Sequence, residues 1–454
     1  MRNGTITLKQ AAAWCGGTVA PEFAEVAFRG ANFDTRRLQT GELFVALVGA
    51  RNGHAYARAA MEKGAAAVLA SEALDADIPA IYVGDTEKAL QEIAKKRREM
   101  LSVCCVGITG SVGKTTTKEM IAAVLETVFV TQKTAENFNN GIGLPVTVLG
   151  IKETCEAAVL EMGMNHFGEI SVLTRIAQPD IAVITNIGTM HIENLGSREG
   201  ILRAKLEILE GLRPNGIAVF NGDDALLRRE AAKYHALTFG CGEENTVRAH
   251  HVHVGETQTF FTAKGFGKEF SVSLPVAGEH YVPDALAAIT VGLQCGISPE
   301  KIAAALADFR NTGMRQKRYD RDGLHIIEDC YNAGPESMRA ALKVLQAAHG
   351  RRIAVLGGML ELGDFAPQAH FEVGQAAAGA ADILLAYGAN GEEYVRGAQA
   401  AGMEDARCFP THEALTEALC EAVRPQDTLL VKGSRGMKME RVLQLLFDES
   451  KIGG

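Results

Sequence analysis

A glycine-rich segment in the first third of the chain carries the residue types that hold nucleotide phosphates. It follows a short apolar run at 103–108 and precedes a stretch at 119–128 whose apolar residues recur at helical spacing, which predicts a strand, a turn and a helix. Its members are Gly110, Ser111, Val112, Gly113, Lys114, Thr115 and Thr116. Glycines let backbone N–H groups turn toward a phosphate, Lys114 can reach the terminal phosphates, and the Thr115 hydroxyl can ligate Mg²⁺. Ile108 stands where the strict P-loop pattern has glycine, so the segment is a shortened variant; a plain glycine turn is the alternative.

Further residues downstream of this segment could take part in the same chemistry. Glu161 comes directly after the apolar run 157–160, where a carboxylate beside a phosphate loop can hold Mg²⁺. His191 follows the apolar run 181–184 after a short turn, and Lys205 lies in a helical stretch at 198–209. Their ordinary alternatives are a surface carboxylate, a structural histidine and a solvated helix lysine. A polar turn, whose members are Asn137, Asn139 and Asn140, could face a ligand or cap a loop.

The elements that must position these residues fall into three blocks. Residues 1–100 predict a small α/β domain with strands at 43–48, 66–70 and 80–83 and helices at 55–63 and 86–100. Residues 101–313 contain the continuous apolar runs of parallel strands, then short alternating strands at 247–274 and helices at 284–293 and 299–309. Residues 314–454 return to strands, at 324–327, 353–356, 383–386 and 428–431, separated by helices. The predicted fold class is therefore α/β with three domains. The central one has a doubly wound, mainly parallel sheet with a small antiparallel addition, and the C-terminal one is Rossmann-like.

Composition limits the classes of function. The 454 residues are 47% hydrophobic and 22% charged, with a formal net charge of −9, so we expect a globular protein without the basic footprint of nucleic-acid binding. The sequence shows neither a signal peptide nor an apolar run long enough to span a membrane. The nine cysteines form no C-x-x-C pair, and an odd number without a secretory signal indicates a reduced, cytoplasmic compartment. We also expect a monomer. A histidine tract at 250–253 has no partners at ligand spacing, which favours a solvated strand over a metal site.

Several motifs taken together resemble the Mur ligases, which build the peptide stem of peptidoglycan. In the central block these motifs are 109–116 (TGSVGKTT), 139–145 (NNGIGLP), 160–165 (LEMGMN), 186–191 (NIGTMH) and 204–208 (AKLEI). In the third block they are 329–335 (DCYNAGP), 357–363 (GGMLELG) and 432–435 (KGSR). Near the N-terminus, residues 34–36, 41–47, 53 and 54 resemble the family's domain for a UDP-sugar. The resemblance thus spans all three blocks.

The resemblance implies an ATP-dependent amide ligase. ATP would phosphorylate the terminal carboxylate of UDP-MurNAc-tripeptide, the amine of D-alanyl-D-alanine would attack the acyl phosphate, and phosphate would leave. Because both partners of the first step are anions, most of the catalysis must come from charge neutralisation. Two Mg²⁺ ions are implied, one on Thr115 and Glu161 and a second held by His191. Lys205 matches the lysine that this family carbamoylates, which turns its side chain into an anionic metal ligand.

The resemblance also implies roles for residues in each domain. The implied ATP contacts beyond the loop are Asn137, Asp284, Arg315 and Asp329, with Asp329 holding the ribose from the third domain. The implied contacts with the UDP-sugar substrate are Asp34, Thr35, Arg36 and His54. The implied contacts with the dipeptide are Lys432, Ser434 and Arg435. Domain 1–100 would bind the UDP-sugar, domain 101–313 would bind ATP, and domain 314–454 would close over ATP and bind the dipeptide.

Three positions depart from the family pattern. Asp284 replaces an asparagine near the adenine, and a carboxylate can accept from the adenine amino group but cannot donate to a ring nitrogen unless it is protonated. Gly358 replaces an aspartate before the Met-Leu-Glu-Leu-Gly run, which removes a carboxylate from the third domain. Thr35 replaces a serine and keeps the hydroxyl.

Other functions are weighed by the motifs they would need. The ligase for the third stem residue would show Asp-Asn-Pro-Arg in its third domain, and this chain does not. A folylpolyglutamate synthase lacks the pairing of the 357–363 and 432–435 motifs. A P-loop switch or scaffold would not need Glu161, His191 and Lys205 together.

Overall fold

The computed structural model describes residues 4–310 and 316–448. Three large sheets follow one another along the chain, of five, nine and six strands, and helices pack against them. The fold class predicted from the sequence, including the antiparallel addition, is confirmed.

The N-terminal part is built on the five-stranded sheet, in the order β2-β7-β6-β5-β4. The N-terminal part has seven strands: β1 (Ile6–Thr7), β2 (Thr18–Val19), β3 (Ala27–Phe28), β4 (Ala31–Asn32), β5 (Leu43–Val45), β6 (Ala67–Ala70) and β7 (Ala80–Tyr82). Of these, β1 and β3 lie outside the five-stranded sheet and pair with each other. Its α-helices are α1 (Leu8–Cys15), α2 (Ala57–Glu62) and α3 (Thr86–Glu99), and 3₁₀ turns cover Pro21–Phe23 and Gly53–Tyr56. The helix predicted at 55–63 is therefore shorter, since its first residues form a 3₁₀ turn.

Helix α3 joins this part to the next one. Arg98 near its end is completely buried and donates to the backbone carbonyl oxygens of Leu101, Val103, Ala177 and Gln178. A buried guanidinium must find acceptors for its N–H groups, and here most of them are backbone atoms of the second part. The contact fixes the N-terminal sheet against the central one.

The central part is built on the nine-stranded sheet, in the order β16-β15-β14-β13-β12-β11-β8-β10-β9. The strands are β8 (Cys104–Thr109), β9 (Thr131–Lys133), β10 (Ala157–Glu161), β11 (Ile181–Ile184), β12 (Ile217–Asn221), β13 (Leu237–Gly240), β14 (Val247–Val254), β15 (Thr259–Gly265) and β16 (Lys268–Leu274). The pairings from β9 to β14 are parallel, and β14, β15 and β16 pair antiparallel. β8 therefore lies inside the sheet, between β10 and β11, and its carboxyl end opens at the same edge as theirs.

Eight helices cover this sheet in the described residues. They are α4 (Lys114–Glu126), α5 (Gly143–Leu149), α6 (Glu169–Ala177), α7 (Ile192–Leu195), α8 (Arg198–Leu206), α9 (Ala225–Ala231), α10 (Tyr281–Gln294) and α11 (Pro299–Ala307). The helix predicted at 198–209 ends earlier and continues as a 3₁₀ segment, Glu207–Gly211. The Glu207 carboxylate there accepts from the backbone N–H groups of Gly168 and Ser171, which draws the segment onto the start of α6.

The third part is built on the six-stranded sheet, in the order β17-β18-β22-β19-β20-β21, parallel except for β17. The strands are β17 (Lys317–Arg321), β18 (Leu324–Asp329), β19 (Arg352–Gly357), β20 (Ile383–Tyr387), β21 (Ala406–Phe409) and β22 (Thr428–Lys432). The helices are α12 (Pro335–Gln346), α13 (Ala366–Ala378), α14 (Gly391–Ala400), α15 (His412–Ala422) and α16 (Glu440–Leu446), with 3₁₀ turns at Gly363–Phe365 and Arg435–Met437. Within the described ranges, no helix has both the length and the apolar character that crossing a bilayer requires.

Candidate active site

The glycine-rich loop connects β8 to the N-terminus of α4, as the sequence predicts. Gly113 has φ +83° directly before the first helical residue, Lys114, and Gly110 has φ +155°. A Cβ at Gly110 would collide with the Thr185 hydroxyl, and one at Gly113 would collide with the Asp284 carboxylate. Both positions therefore need glycine for space as well as for backbone conformation.

The loop is held from the side by the turn that follows β11. The Asn186 side chain accepts from the backbone N–H of Val112 at 3.0 Å, and the Ser111 hydroxyl accepts from that of Gly188 at 2.9 Å. The Lys114 ammonium donates to the carbonyl oxygen of Gly110 at 2.8 Å. The result is a shaped loop at a helix N-terminus, which is the geometry that binds phosphate.

Thr115 and Glu161 are brought together at the carboxyl ends of β8 and β10. The Thr115 hydroxyl donates to Oε2 of Glu161 at 2.7 Å, and the Asn139 amide donates to Oε1 at 2.8 Å. Only 2% of the Glu161 surface is exposed. A hydroxyl and a carboxylate at the start of the phosphate-binding helix are the hard oxygen donors that Mg²⁺ prefers, so these residues fit that ion.

Lys118, which the sequence reasoning missed, lies one turn further along α4. Its ammonium is fully buried and lies 3.9 Å from Oε2 of Glu161 and 3.1 Å from Oε1 of Glu119. It also donates to the carbonyl oxygen of Thr134 at 2.8 Å. Spacing of one helical turn after Thr115 could have shown that Lys118 shares a face with it.

His191 follows the same turn and lies against the third part of the chain. Its backbone is left-handed, with φ +63°, and its Nδ1 atom is 2.5 Å from Oε2 of Glu361. The contact with His191 lowers the pKa of the Glu361 carboxyl. His191 lines the same cavity as Thr115 and Glu161, so the structure brings these three predicted residues to one site.

Lys205 is 2% exposed and lies behind this cavity rather than on its wall. Burial, together with a smaller repulsion from Lys114, lowers the pKa of Lys205 well below its usual value. No cluster of three His, Cys, Asp or Glu side chains suited to a metal occurs in residues 4–310 and 316–448.

The cavity itself has a volume of about 560 Å³ and is lined by the central and third parts together. From the third part it receives Asp329 and Lys432, whose carboxylate and ammonium form a buried ion pair at 2.7 Å. Lys432 also donates to the carbonyl oxygen of Asn332. Lys432 lines the cavity, and its expected contact with the dipeptide stays a prediction.

Asp284 lies at the N-terminal end of α10, under the phosphate loop. Its Oδ1 accepts from the Thr117 hydroxyl at 2.8 Å. Burial raises the pKa of Asp284 to about 7, although the Thr117 hydrogen bond opposes the shift. The carboxyl adjoins the phosphate loop at Gly113, and its expected contact with the nucleotide stays a prediction.

The wall beside Asp284 contains residues that sequence reasoning did not assign. The Tyr281 hydroxyl donates to the Gln316 side chain at 3.0 Å, and Gln316 lies 3.2 Å from Nε2 of His280. Burial lowers the pKa of His280 to about 4, so its ring is neutral. The rest of the wall includes Tyr331 and Glu336. Tyr331 lies within the 329–335 motif and Glu336 directly follows it, so the motif was the sequence signal that could have identified them as site residues.

Other predicted residues lie away from the cavity. Asn137 is exposed, whereas its neighbours Asn139 and Asn140 line the wall. Ser434 is buried, accepting from the backbone N–H of Leu360, and Arg435 is 56% exposed and paired with Glu440. Arg315 lies outside the described residues.

The four predicted UDP-sugar residues lie in the N-terminal part. Asp34 and Arg36 form an ion pair at the surface, and the carbonyl oxygen of Thr35 accepts from Lys63. His54 is 8% exposed, with Nε2 accepting from the Ser71 backbone and Nδ1 at 2.7 Å from Oδ1 of Asn52. Both ring nitrogens of His54 have partners in this part of the chain, and its contact with the UDP-sugar stays a prediction.

Comparisons with known proteins cover the central and third parts of the chain by family models and almost the whole chain by relatives. Residues 108–292 match the Mur ligase middle domain, and residues 314–435 match the model described as Mur ligase, glutamate ligase domain. The UDP-N-acetylmuramoyl-tripeptide–D-alanyl-D-alanine ligase of Bacillus subtilis (strain 168) is 42% identical, over 97% of this chain and 98% of that protein. The corresponding ligase of Escherichia coli (strain K12) is 35% identical, over 93% of this chain and 94% of that protein.

A crystal structure of MurF from Acinetobacter baumannii superposes with a TM-score of 0.90 at 32% identity, covering 97% of this chain and 98% of that one. MurF ligase from Thermotoga maritima in complex with ADP superposes with a TM-score of 0.80 at 29% identity, covering 92% and 97% of the two chains. Two family models and relatives that match over almost their full length show that the chain belongs to the Mur ligase family.

Proposed function

We propose that this chain is the ATP-dependent ligase that joins D-alanyl-D-alanine to UDP-MurNAc-tripeptide, giving UDP-MurNAc-pentapeptide, ADP and phosphate. The observation that carries the proposal is the cavity between the central and third parts. It places the phosphate loop, the Thr115–Glu161 pair, His191 and Asp329 around one space. The relatives that match over almost their full length are named for this reaction.

In the first step, the tripeptide carboxylate attacks the terminal phosphorus of ATP and ADP leaves, which forms an acyl phosphate. The loop N–H groups and Lys114 hold the phosphates, and Thr115 and Glu161 hold Mg²⁺. Bound there, Mg²⁺ neutralises charge that builds up between two anionic reactants. Burial of Glu161 and its hydrogen bonds from Thr115 and Asn139 keep its oxygens in place for this task.

The second step needs charge neutralisation on the acyl phosphate while the dipeptide amine attacks its carbonyl carbon. We assign a second Mg²⁺ to His191 and carbamoylated Lys205. An ammonium about 5 Å from a divalent ion would be repelled by about 7 kcal/mol at an effective dielectric constant near 20. Burial favours the neutral amine of Lys205, and the neutral amine is the form whose nitrogen bonds to CO₂, losing a proton to give an anionic carbamate.

The remaining assignments follow the division of the chain. Asp329, fixed by Lys432, holds the ATP ribose, and Asn137, Asp284 and Arg315 are the further residues that we assign to the nucleotide. Asp34, Thr35, Arg36 and His54 take part in binding the UDP-sugar within residues 1–100. Lys432, Ser434 and Arg435 lie in the segment assigned to the dipeptide, in residues 314–454. The protein acts in the cytoplasm as a monomer, in the synthesis of the peptidoglycan precursor.

The test is phosphate release with purified protein, ATP and Mg²⁺, together with mass spectrometry of the product. Release is expected only when D-alanyl-D-alanine and a UDP-MurNAc-tripeptide are both present, with the tripeptide ending in lysine or in diaminopimelate. Lys114→Met should abolish release, whereas Lys301→Met, at an exposed lysine of α11, should leave it unchanged. Phosphate release that needs neither substrate would contradict the proposal and support a nucleotide switch.

A further inference from the structure

The third part of the chain contacts one short segment of the central part, residues 188–193, at several points. The Thr189 hydroxyl donates to Oε1 of Glu336 at 3.1 Å. On the same side, a Cβ at Gly334 would lie 2.7 Å from Cγ of Met190. On the other side, Gly363 is packed so closely against Glu193 that an added Cβ would lie 3.0 Å from its Cγ. The segment that carries His191 is therefore enclosed by two separate loops of the third part.

Glu361 approaches His191 from the second of these loops. Oε2 of Glu361 lies 2.5 Å from Nδ1 of His191, within ion-pair range. That Nδ1 atom is buried and has no partner in hydrogen-bond geometry among the described residues. Glu361 is the ion-pair partner of His191 among the described residues, so its carboxylate can orient the imidazole.

Both residues have strained backbones at the point where they meet. His191 has φ +63° and Glu361 has φ +64°, and neither is glycine. Left-handed conformations of such residues persist when the surrounding structure holds them, and they collect at functional sites. His191 lines the cavity and Glu361 does not, so the carboxylate contacts the ring without itself lining the cavity.

We propose that Glu361 is a positioning residue that fixes the His191 ring when the third part closes on the central part. A carboxylate at Nδ1 selects the tautomer with the proton on that nitrogen and leaves the Nε2 lone pair for the cavity. Since the two residues belong to different parts of the chain, the ring is oriented only in the closed arrangement. The role given to His191 rests on the proposed function, whereas its contact with Glu361 does not.

The first readout separates positioning from nucleotide binding. Glu361→Gln keeps the shape of the side chain and removes its charge, so kcat should fall about tenfold to a hundredfold. The KM for ATP should change less than about twofold, because the phosphate loop is untouched. Glu361→Asp should recover part of kcat. The control is Glu404→Gln, an exposed carboxylate elsewhere in the third part, which should behave as wild type.

The second readout is closure itself, which needs no peptide substrate. Cys241 in the central part and Cys420 in the third part are exposed and can carry a donor and an acceptor dye. With Mg²⁺ and a non-hydrolysable ATP analogue, Glu361→Gln and His191→Gln should each lower the closed fraction. The double variant should lower it no further than His191→Gln alone, because the two residues act through one contact.

Wild-type kcat in Glu361→Gln, or effects of the two substitutions on closure that add in full, would overturn the proposal. Failure of the wild-type protein to form the pentapeptide would instead overturn the proposed function. The closure measurement needs no peptide substrate, so in that case it would still test whether Glu361 and His191 act through one contact.

Discussion

Three buried lysines near the cavity differ in what surrounds them. The Lys118 ammonium has a carboxylate at 3.1 Å and Lys432 has one at 2.7 Å. For Lys205, burial and the like charge of Lys114 both lower the pKa of the ammonium. A buried ammonium without a counter-charge is costly, so the same side chain is suited to become a carbamate at one position and to remain a cation at the others.

Lys205→Ala should therefore lose almost all ligase activity and keep the fold. The substitution removes the proposed anionic ligand of the second Mg²⁺, and a small free carboxylate can occupy the space left by the side chain. Formate or acetate is expected to restore part of the turnover in this variant. Removal of CO₂ and bicarbonate should likewise reduce the wild-type rate.

The control for this experiment is Lys301→Ala, which should show neither the loss nor the response to formate. Circular dichroism spectra should confirm that Lys205→Ala is folded. Wild-type activity in Lys205→Ala would remove carbamoylation from the mechanism.

Asp284 makes the stability of the chain depend on pH. Below about pH 4 its carboxyl is protonated in the folded and the unfolded chain alike. Between about pH 4 and pH 7 it ionises in the unfolded chain alone, because its pKa in the folded chain is about 7. The folded chain binds more protons in this window, so the contribution of Asp284 to stability falls as pH rises and is lost above pH 7.

Asp284→Asn should abolish that loss while keeping an acceptor for the Thr117 hydroxyl. The melting temperature of the variant minus that of the wild type should grow from pH 4 to pH 7 and then level off. The upper bound for the gain at pH 8 is about 4 kcal/mol, from the shift in pKa. A difference that is constant with pH would show that Asp284 is ionised throughout.

At the scale of elements, the strand, loop and helix from β8 to α4 form the part of the site that depends most on backbone conformation. Gly113→Ala should weaken ATP binding by tenfold or more, because the new Cβ strains a left-handed residue and pushes against Asp284. Isothermal titration with Mg²⁺ and an ATP analogue measures the change.

The matched control is Gly296→Ala. Gly296 has φ +76° and nothing within 4 Å of an added Cβ, so alanine there strains the backbone without a collision. ATP binding should be unchanged in that variant. Equal losses in both variants would mean that the loop tolerates the side chain and that general destabilisation explains the effect.

These elements were predictable from the sequence because their signals are local. An apolar run followed by glycines and a helical pattern predicts the loop, and runs 157–160 and 181–184 predict the strands that place Glu161 and His191 at the same sheet edge. Contacts between distant segments carry no such signal. The pairing of Lys432 with Asp329 and of His191 with Glu361 depends on how the third part docks, which periodicity does not report. The resemblance identified the motifs but not these partners.

At the scale of the whole molecule, the two joints between the three parts differ in kind. The third part meets the central part across a cavity and through side-chain contacts such as that of Glu361 with His191. The N-terminal part meets it through α3, whose Arg98 is enclosed by backbone carbonyl oxygens. We infer that the first joint moves during the reaction, whereas the second holds the UDP-sugar part in a fixed position relative to ATP.

Arg98→Ala tests the second joint, because it leaves buried carbonyl oxygens without a donor and a space the size of the side chain. The expected loss of stability is about 3–5 kcal/mol.

The single tryptophan, Trp14 on α1, reports unfolding of the N-terminal part by fluorescence, while circular dichroism reports the whole chain. In urea, the Trp14 transition should move to lower concentration and separate from the main transition. Arg58→Ala, which removes a solvent-exposed ion pair with Asp75 and Asp77, should leave both transitions at their wild-type positions. Coincident, unshifted transitions in Arg98→Ala would show that the joint does not depend on this residue.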